Sequence, residues 1–208
     1  MRDQSIDDFL EELAARVPAP GGGAVAAMHA AQAAALLAMV ARYSVGPRFA
    51  ENAELVERVL VKADALRVDA LELAEDDAEA FLAVTGAYDL PQETDEEAEE
   101  RSATIANALA EAAEPPAAVI VAATHLIAMA EELLPVANPN VVADIGAAVE
   151  SARAAALTAR LNIEVNVAGV TDDDARRRLA ATVDGVGALA QRADEVTAAV
   201  RQRMSRSA

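Results

Sequence analysis

Residues 24–41 carry no formal charge, and ten of the eighteen are alanine. Alanine favours a helix, yet this helix would have no charged face to turn toward water. Either a protein core or a membrane must take it in. His29 and Gln32 interrupt the run, and alanine supplies most of its apolarity. Both features favour a buried central helix over a membrane span. The whole chain is 54% hydrophobic but only 2% aromatic, so its core must be thin, with helix backbones packed close together. The expectation is an all-α fold: one helical bundle over residues 1–208, with long antiparallel helices around a buried, alanine-rich central one. Small core side chains also call for extra burial by oligomerisation.

Proline and glycine divide the rest. Ser5 with Asp8 three residues on reads as a helix start, and Ile6, Phe9, Leu10 and Leu13 form one apolar stripe. Pro18 and Pro20 close that helix, and Gly46-Pro47 closes the central one. Helices are expected over about 50–87, 95–113, 116–134, 141–168 and 172–204, with Thr94 and Asn140 as natural caps and Pro115-Pro116 as a break. No strand pattern, internal repeat or Gly/Ser linker is present.

Charge and cysteine content exclude several functions. The net charge is −18 and cysteine is absent, so neither disulfide nor thiolate chemistry is available. A nucleic-acid surface needs a basic stripe. Arg176, Arg177 and Arg178 instead sit among Asp172, Asp173 and Asp174 and read as a mixed-charge solvated face. Residues 1–12 are acidic and polar, unlike a signal peptide, and the cytoplasm is the expected location. His29 and His125 lack a histidine or carboxylate four residues on, so no metal site is expected.

Two features resist a purely structural explanation. Gly21, Gly22 and Gly23 stand directly before the central helix, where they weaken it and fill no space; something must approach their backbone. Along the third helix, Val59, Ala63, Leu66, Ala70, Leu73, Asp77, Ala80 and Val84 recur in steps of four and three. Asp77 therefore occupies a core position. A buried carboxylate must be paired with a cation, hydrogen-bonded, or turned into a wet pocket. Asn162 and Asn166, four apart near an apolar face, either bridge helices or read a polar ligand. Asp144, one turn into its helix, suits a helix N-terminus. At 1.5 Å per residue it lies roughly 27 Å from Asn162, too far to share a small pocket within one chain.

Pro18-Ala19-Pro20-Gly21-Gly22-Gly23, the alanine-rich helix after it, Asp77 to Phe81, Asn138 to Asp144, and Asn162 with Asn166 together resemble the cyclodeaminase/cyclohydrolase family. That family includes the C-terminal half of formiminotransferase-cyclodeaminase and stand-alone methenyltetrahydrofolate cyclohydrolases. The resemblance covers nearly the whole chain and implies an all-helical subunit that dimerises. It also implies tetrahydrofolate one-carbon substrates and no metal or redox cofactor.

On that resemblance Asp77 is the expected general base and counter-charge to the methenyl cation, and His29 the candidate acid. Pro20, Gly21, Gly22, Gly23, Arg42, Asn138 and Asp144 are the expected substrate-binding residues. The glycines would offer helix-start N–H groups to an anion, and Arg42 or Arg48 would attract the glutamate tail against the −18 field. Three activities remain open: hydrolysis of 5,10-methenyltetrahydrofolate to 10-formyltetrahydrofolate, formiminotetrahydrofolate cyclodeamination, or a non-catalytic folate-binding or structural dimer. Ala24 and Ala143, where family members often carry serine, motivate the last.

Overall fold

The computed structural model describes residues 2–207, and among them the regular elements are helices, with no strand. Helix α1 (Ile6–Ala14) opens with the expected capping box, in which Ser5 and Asp8 each accept the other's backbone N–H. Phe9 is its buried residue. Helix α2 (Gly22–Tyr43) is the alanine-rich element, with twelve of its 22 residues buried. Its uncharged stretch is therefore used for core packing, which accounts for a composition that would also suit a membrane.

Helix α3 (Ala53–Tyr88) is reached through a short 3-10 turn, Pro47–Asn52, entered at Gly46, whose φ of 102° belongs to glycine. Helix α4 (Asp95–Ala112) starts at a second capping box, between Thr94 and Glu97. Helix α5 (Glu114–Leu133) follows after one residue, with Pro115 and Pro116 in its first turn, where no N–H is missed. Helix α6 (Val142–Val167) and helix α7 (Asp173–Ser207) complete the chain. Asn140 is not the cap expected from sequence. Asn138 takes that role, its side chain accepting the Asn140 N–H and capping the turn Pro139–Val141 before α6.

Helix α2 packs most extensively against α3 and α6, which flank it, while α5 lies behind it and α7 braces α5 and α6. Both flanking helices run antiparallel to α2. Its first turn meets Asp77 of α3 and Asn162 of α6, and its last turn meets Asp64 of α3 and the Asn138 loop. Ala26, Ala27, Ala30, Ala33 and Ala34 are fully buried, so at these positions α2 itself contributes nothing larger than a methyl group to the seam. Enlarging one of them would overpack this seam at about 1–3 kcal/mol.

Helix α4 is more loosely attached. It folds back on the end of α3 through a small separate cluster of Val84, Ala87, Ala108 and Ala112. It is tied to α6 where Asn166 Nδ2 donates to the Ala112 carbonyl at 3.0 Å.

Candidate functional site

The start of α2, the middle of α3 and the end of α6 meet around a cavity of about 200 Å³. Gly21, Gly22, Gly23, Asp77, Phe81, Asn162 and Asn166 line it, with Pro18, Ala19, Ala112 and Val165. The antiparallel arrangement accounts for this meeting, because the N-terminal end of α2 lies level with the distal parts of its two neighbours.

Asp77 is the one ionisable side chain among the lining residues. It is half-buried, as its seam position requires, while Asp76 and Glu79 beside it are exposed. Its carboxylate accepts the backbone N–H of Ala24, in the first turn of α2. The positive end of that helix therefore faces an acidic group from another helix. Burial pushes the Asp77 carboxyl above its ordinary value, and the Ala24 N–H offsets part of that rise. No ion pair to Asp77 forms among the described residues. Of the three states open to a seam carboxylate, the arginine pair is thus ruled out. The hydrogen bond and the pocket both hold.

The glycines divide by role. At Gly23 an added Cβ would lie 1.8 Å from Asp77 Oδ1 and 2.3 Å from Cγ. Only a residue without a side chain lets the carboxylate seat there. At Gly22 the nearest atom would be Asn162 Nδ2 at 3.5 Å, an ordinary contact, and at Gly21 nothing lies within 4 Å. One glycine is therefore demanded by the protein itself. The other two leave open space along the pocket wall.

Across the pocket, Asn162 Nδ2 donates to Thr158 O within its own helix at 2.9 Å, and Asn166 holds the Ala112 carbonyl. Both amide nitrogens are anchored, and each side-chain oxygen keeps capacity for a ligand N–H. Phe81, one turn beyond Asp77, and Val165 form an apolar rim, 43% and 76% exposed. Phe81, Asn162 and Asn166 were not among the expected binding residues. Their signal was the spacing of four, which puts Phe81 on the Asp77 face and both asparagines on one face of α6.

The remaining candidates lie elsewhere. Pro20 is buried behind the glycines, after a cis Ala19–Pro20 bond. His29 sits two turns along α2, about 10 Å from Gly22 by helix rise, and does not line the pocket. Arg42 is at the far end of α2, with Nη2 donating to Asp64 Oδ2 at 2.6 Å. Asn138 is a clamp at that same far end. Its Nδ2 donates to Tyr43 O and its N–H to Ser44 Oγ, both at 2.9 Å. Asp144 stands half-exposed in the first turn of α6. Within one chain, Arg42, Asn138 and Asp144 thus form a second group, roughly 27 Å from the Asp77 pocket along α6. Among the described residues no cluster of histidine and carboxylate side chains suited to a metal occurs.

Known proteins are similar to this chain in sequence and fold. Over 195 residues the chain is 38% identical to a methenyltetrahydrofolate cyclohydrolase of Methylorubrum extorquens, covering 91% of this chain and 94% of that one. It is 32% identical over 172 residues to the formimidoyltransferase-cyclodeaminase of Rattus norvegicus. That match takes 82% of this chain but 32% of the rat protein, so the chain spans about a third of such relatives. The crystal structure of formiminotetrahydrofolate cyclodeaminase from Thermotoga maritima superposes with a TM-score of 0.83 at 26% identity, over 98% of this chain and 97% of that one. Residues 5–185 match the formiminotransferase-cyclodeaminase family. With the glycine-backed Asp77 pocket at the helix start, the all-helical fold and this match over most of its length, the chain belongs to that family.

Proposed function

We propose that this chain hydrolyses 5,10-methenyltetrahydrofolate to 10-formyltetrahydrofolate. The observation that carries the reading is Asp77: an unpaired, partly desolvated carboxylate in a pocket, fixed by one backbone N–H and a glycine. The cyclohydrolase of Methylorubrum extorquens, similar along nearly its full length, supports it. The substrate carries a delocalised cation across its N5–C–N10 bridge. A carboxylate beside the bridge carbon opposes that charge and accepts a proton from water as the water oxygen bonds to carbon. The N5–C bond then breaks, Asp77 returns its proton to N5, and the hydroxyl proton leaves as the formyl C=O forms. Net uptake is one water and net release one proton. Phe81 and Val165 offer a surface for the flat pteridine ring, while the side-chain oxygens of Asn162 and Asn166 face its N–H groups.

A second reading is formiminotetrahydrofolate cyclodeamination. It is supported by the Thermotoga maritima neighbour and by the raised pKa of Asp77, which lets the group hold the proton that departing ammonia needs. Under either reading the substrate is a folate, and the working unit is a homodimer that buries the open side of α2.

Incubating the protein with methenyltetrahydrofolate and following loss of its absorbance tests the first reading. Ammonia release from formiminotetrahydrofolate tests the second. Turnover of neither substrate, in a folded protein that binds folate, would leave the non-catalytic reading.

A further inference from the structure

Helices α3 and α5 leave a second cavity between them, of about 450 Å³. Lys62, Ala65 and Leu66 line it from α3, and His125, Ala128 and Met129 face them from α5. Spacings of three and four place each set on one face of its helix. Ala65 and Ala128 account for the hollow, because methyl groups on both helices leave space beside the half-buried Leu66 and the buried Met129. No residue lines both this cavity and the Asp77 pocket. Lys62 lies roughly 22 Å from Asp77 along α3.

The charge on its rim is unusual for this chain. At a net charge of −18, several arginines between helices are matched to carboxylates: Arg42 to Asp64, Arg178 to Glu114 and Arg192 to Glu131. Lys62 is the chain's single lysine. Its side chain is exposed and makes neither an ion pair nor a hydrogen bond among the described residues. The His125 side chain, exposed on the opposite wall, makes none either, so a ring N–H stays free to donate. Glu132, the one carboxylate in the lining, is already held by Arg58. An ammonium and a ring N–H thus stand over a floor of aliphatic carbon and thioether.

That combination selects among ligands. A cation is repelled by Lys62. An inorganic anion would meet the ammonium but gain nothing from Leu66 and Met129. A neutral apolar molecule would cover Lys62 and His125 without pairing them, which costs free energy. A carboxylate on an apolar body uses the whole groove. Its oxygens accept charge-assisted hydrogen bonds from Lys62 and a further one from His125, while its body takes water off Leu66 and Met129. An aromatic body suits the floor best, because methionine sulfur packs favourably against a ring. The volume is that of an ordinary small-molecule site.

We propose that the α3–α5 groove binds a small aromatic carboxylate at a site distinct from the Asp77 pocket, with Lys62 and His125 holding the carboxylate and Leu66 and Met129 seating the ring. The proposal stands whichever reaction the Asp77 pocket performs.

The histidines make the test direct, since the chain has only two and their ring signals can be followed separately by proton NMR. The probe is 2-naphthoate, with neutral 2-naphthamide as its match in shape. Titration of the whole protein with naphthoate should shift the His125 ring signals saturably, with a Kd of about 1 mM for a probe of this size, and leave those of His29 in place. Naphthamide should bind at least about fivefold more weakly, and Lys62→Ala should weaken naphthoate by about the same factor without affecting naphthamide. Ala128→Glu, which sets a second carboxylate on the floor, should abolish naphthoate binding. Saturating methenyltetrahydrofolate should leave the naphthoate Kd unchanged. No saturable shift of His125 up to about 10 mM, ten times the Kd expected at this size, would overturn the proposal. Equal binding of naphthoate and naphthamide by the unaltered protein would also overturn it, and needs no variant to fold. Displacement of naphthoate by methenyltetrahydrofolate would overturn the claim of a distinct site.

Discussion

The Asp77 carboxylate occupies the space that any side chain at residue 23 would need, 1.8 Å from the position of a Cβ there. Gly23→Ala must therefore push Asp77 out of the first turn of α2 or shift the helix. We expect a loss of about 1–3 kcal/mol from overpacking, together with a fall in turnover. Gly22→Ala meets Asn162 only at 3.5 Å and should keep its melting temperature or raise it slightly. Thermal melts of the two variants side by side check the contrast.

The same contact predicts a strong coupling. Asp77→Ala empties the space that the Gly23→Ala methyl needs, so the double variant should recover much of the stability that Gly23→Ala loses. In a double-mutant cycle the two changes should depart from additivity by about 1 kcal/mol or more. Additive losses would mean that the glycine and the carboxylate do not share that volume.

A raised carboxyl pKa has a definite sign in both stability and rate. Asp77 binds its proton more tightly folded than unfolded, so its contribution favours folding below its ordinary 3.8 and is lost as pH rises through the raised value. Asp77→Asn should therefore gain stability relative to the parent as pH increases across that window. Glu75, two residues away, works in reverse: Arg2 holds it at about 2, so its stabilisation is present above the ordinary 4.5 and fades as pH falls. For catalysis, turnover should decline as pH drops through a value above 3.8, and Asp77→Asn should remove that limb. Urea titrations and rate profiles over the acid range read both effects.

Asn166 ties α4 to the body of the bundle through the Ala112 carbonyl. Asn166→Ala should cost about 1 kcal/mol and should raise amide exchange in α4 before it does so in α2 or α5, because α4 rests on a small separate cluster. Uniform exchange across the molecule would contradict this attachment.

Sequence made the helices and the odd carboxylate legible for the same reason. Proline, glycine and capping residues mark ends locally, and the steps of four and three along α3 expose Asp77 without knowledge of any other helix. What faces Asp77 depends on how helices align, and no spacing within one helix reports that. Asn162 and Asn166 thus carried two readings until α6 was seen to end beside Gly22. Asn166 in fact does both, bridging to Ala112 and lining the pocket. Arg42, Asn138 and Asp144 were grouped with the glycines by resemblance, but the antiparallel course of α2 carries them to the opposite end. Asn140 was misassigned as a cap because Asn138 and Asn140 are equivalent to a local rule. Only the turn at Pro139 decides which side chain points back at the backbone.

The central claim is that Asp77 performs the chemistry rather than merely capping α2. The direct measurement is turnover of methenyltetrahydrofolate per folded molecule by Asp77→Asn, with its melting temperature taken on the same preparation. A general base or counter-charge predicts a fall of about 10²- to 10⁴-fold, with stability equal to or above that of the parent, because a partly desolvated charge is removed. A variant that melts well below the parent yet turns over normally per folded molecule would contradict the claim and leave Asp77 a structural cap.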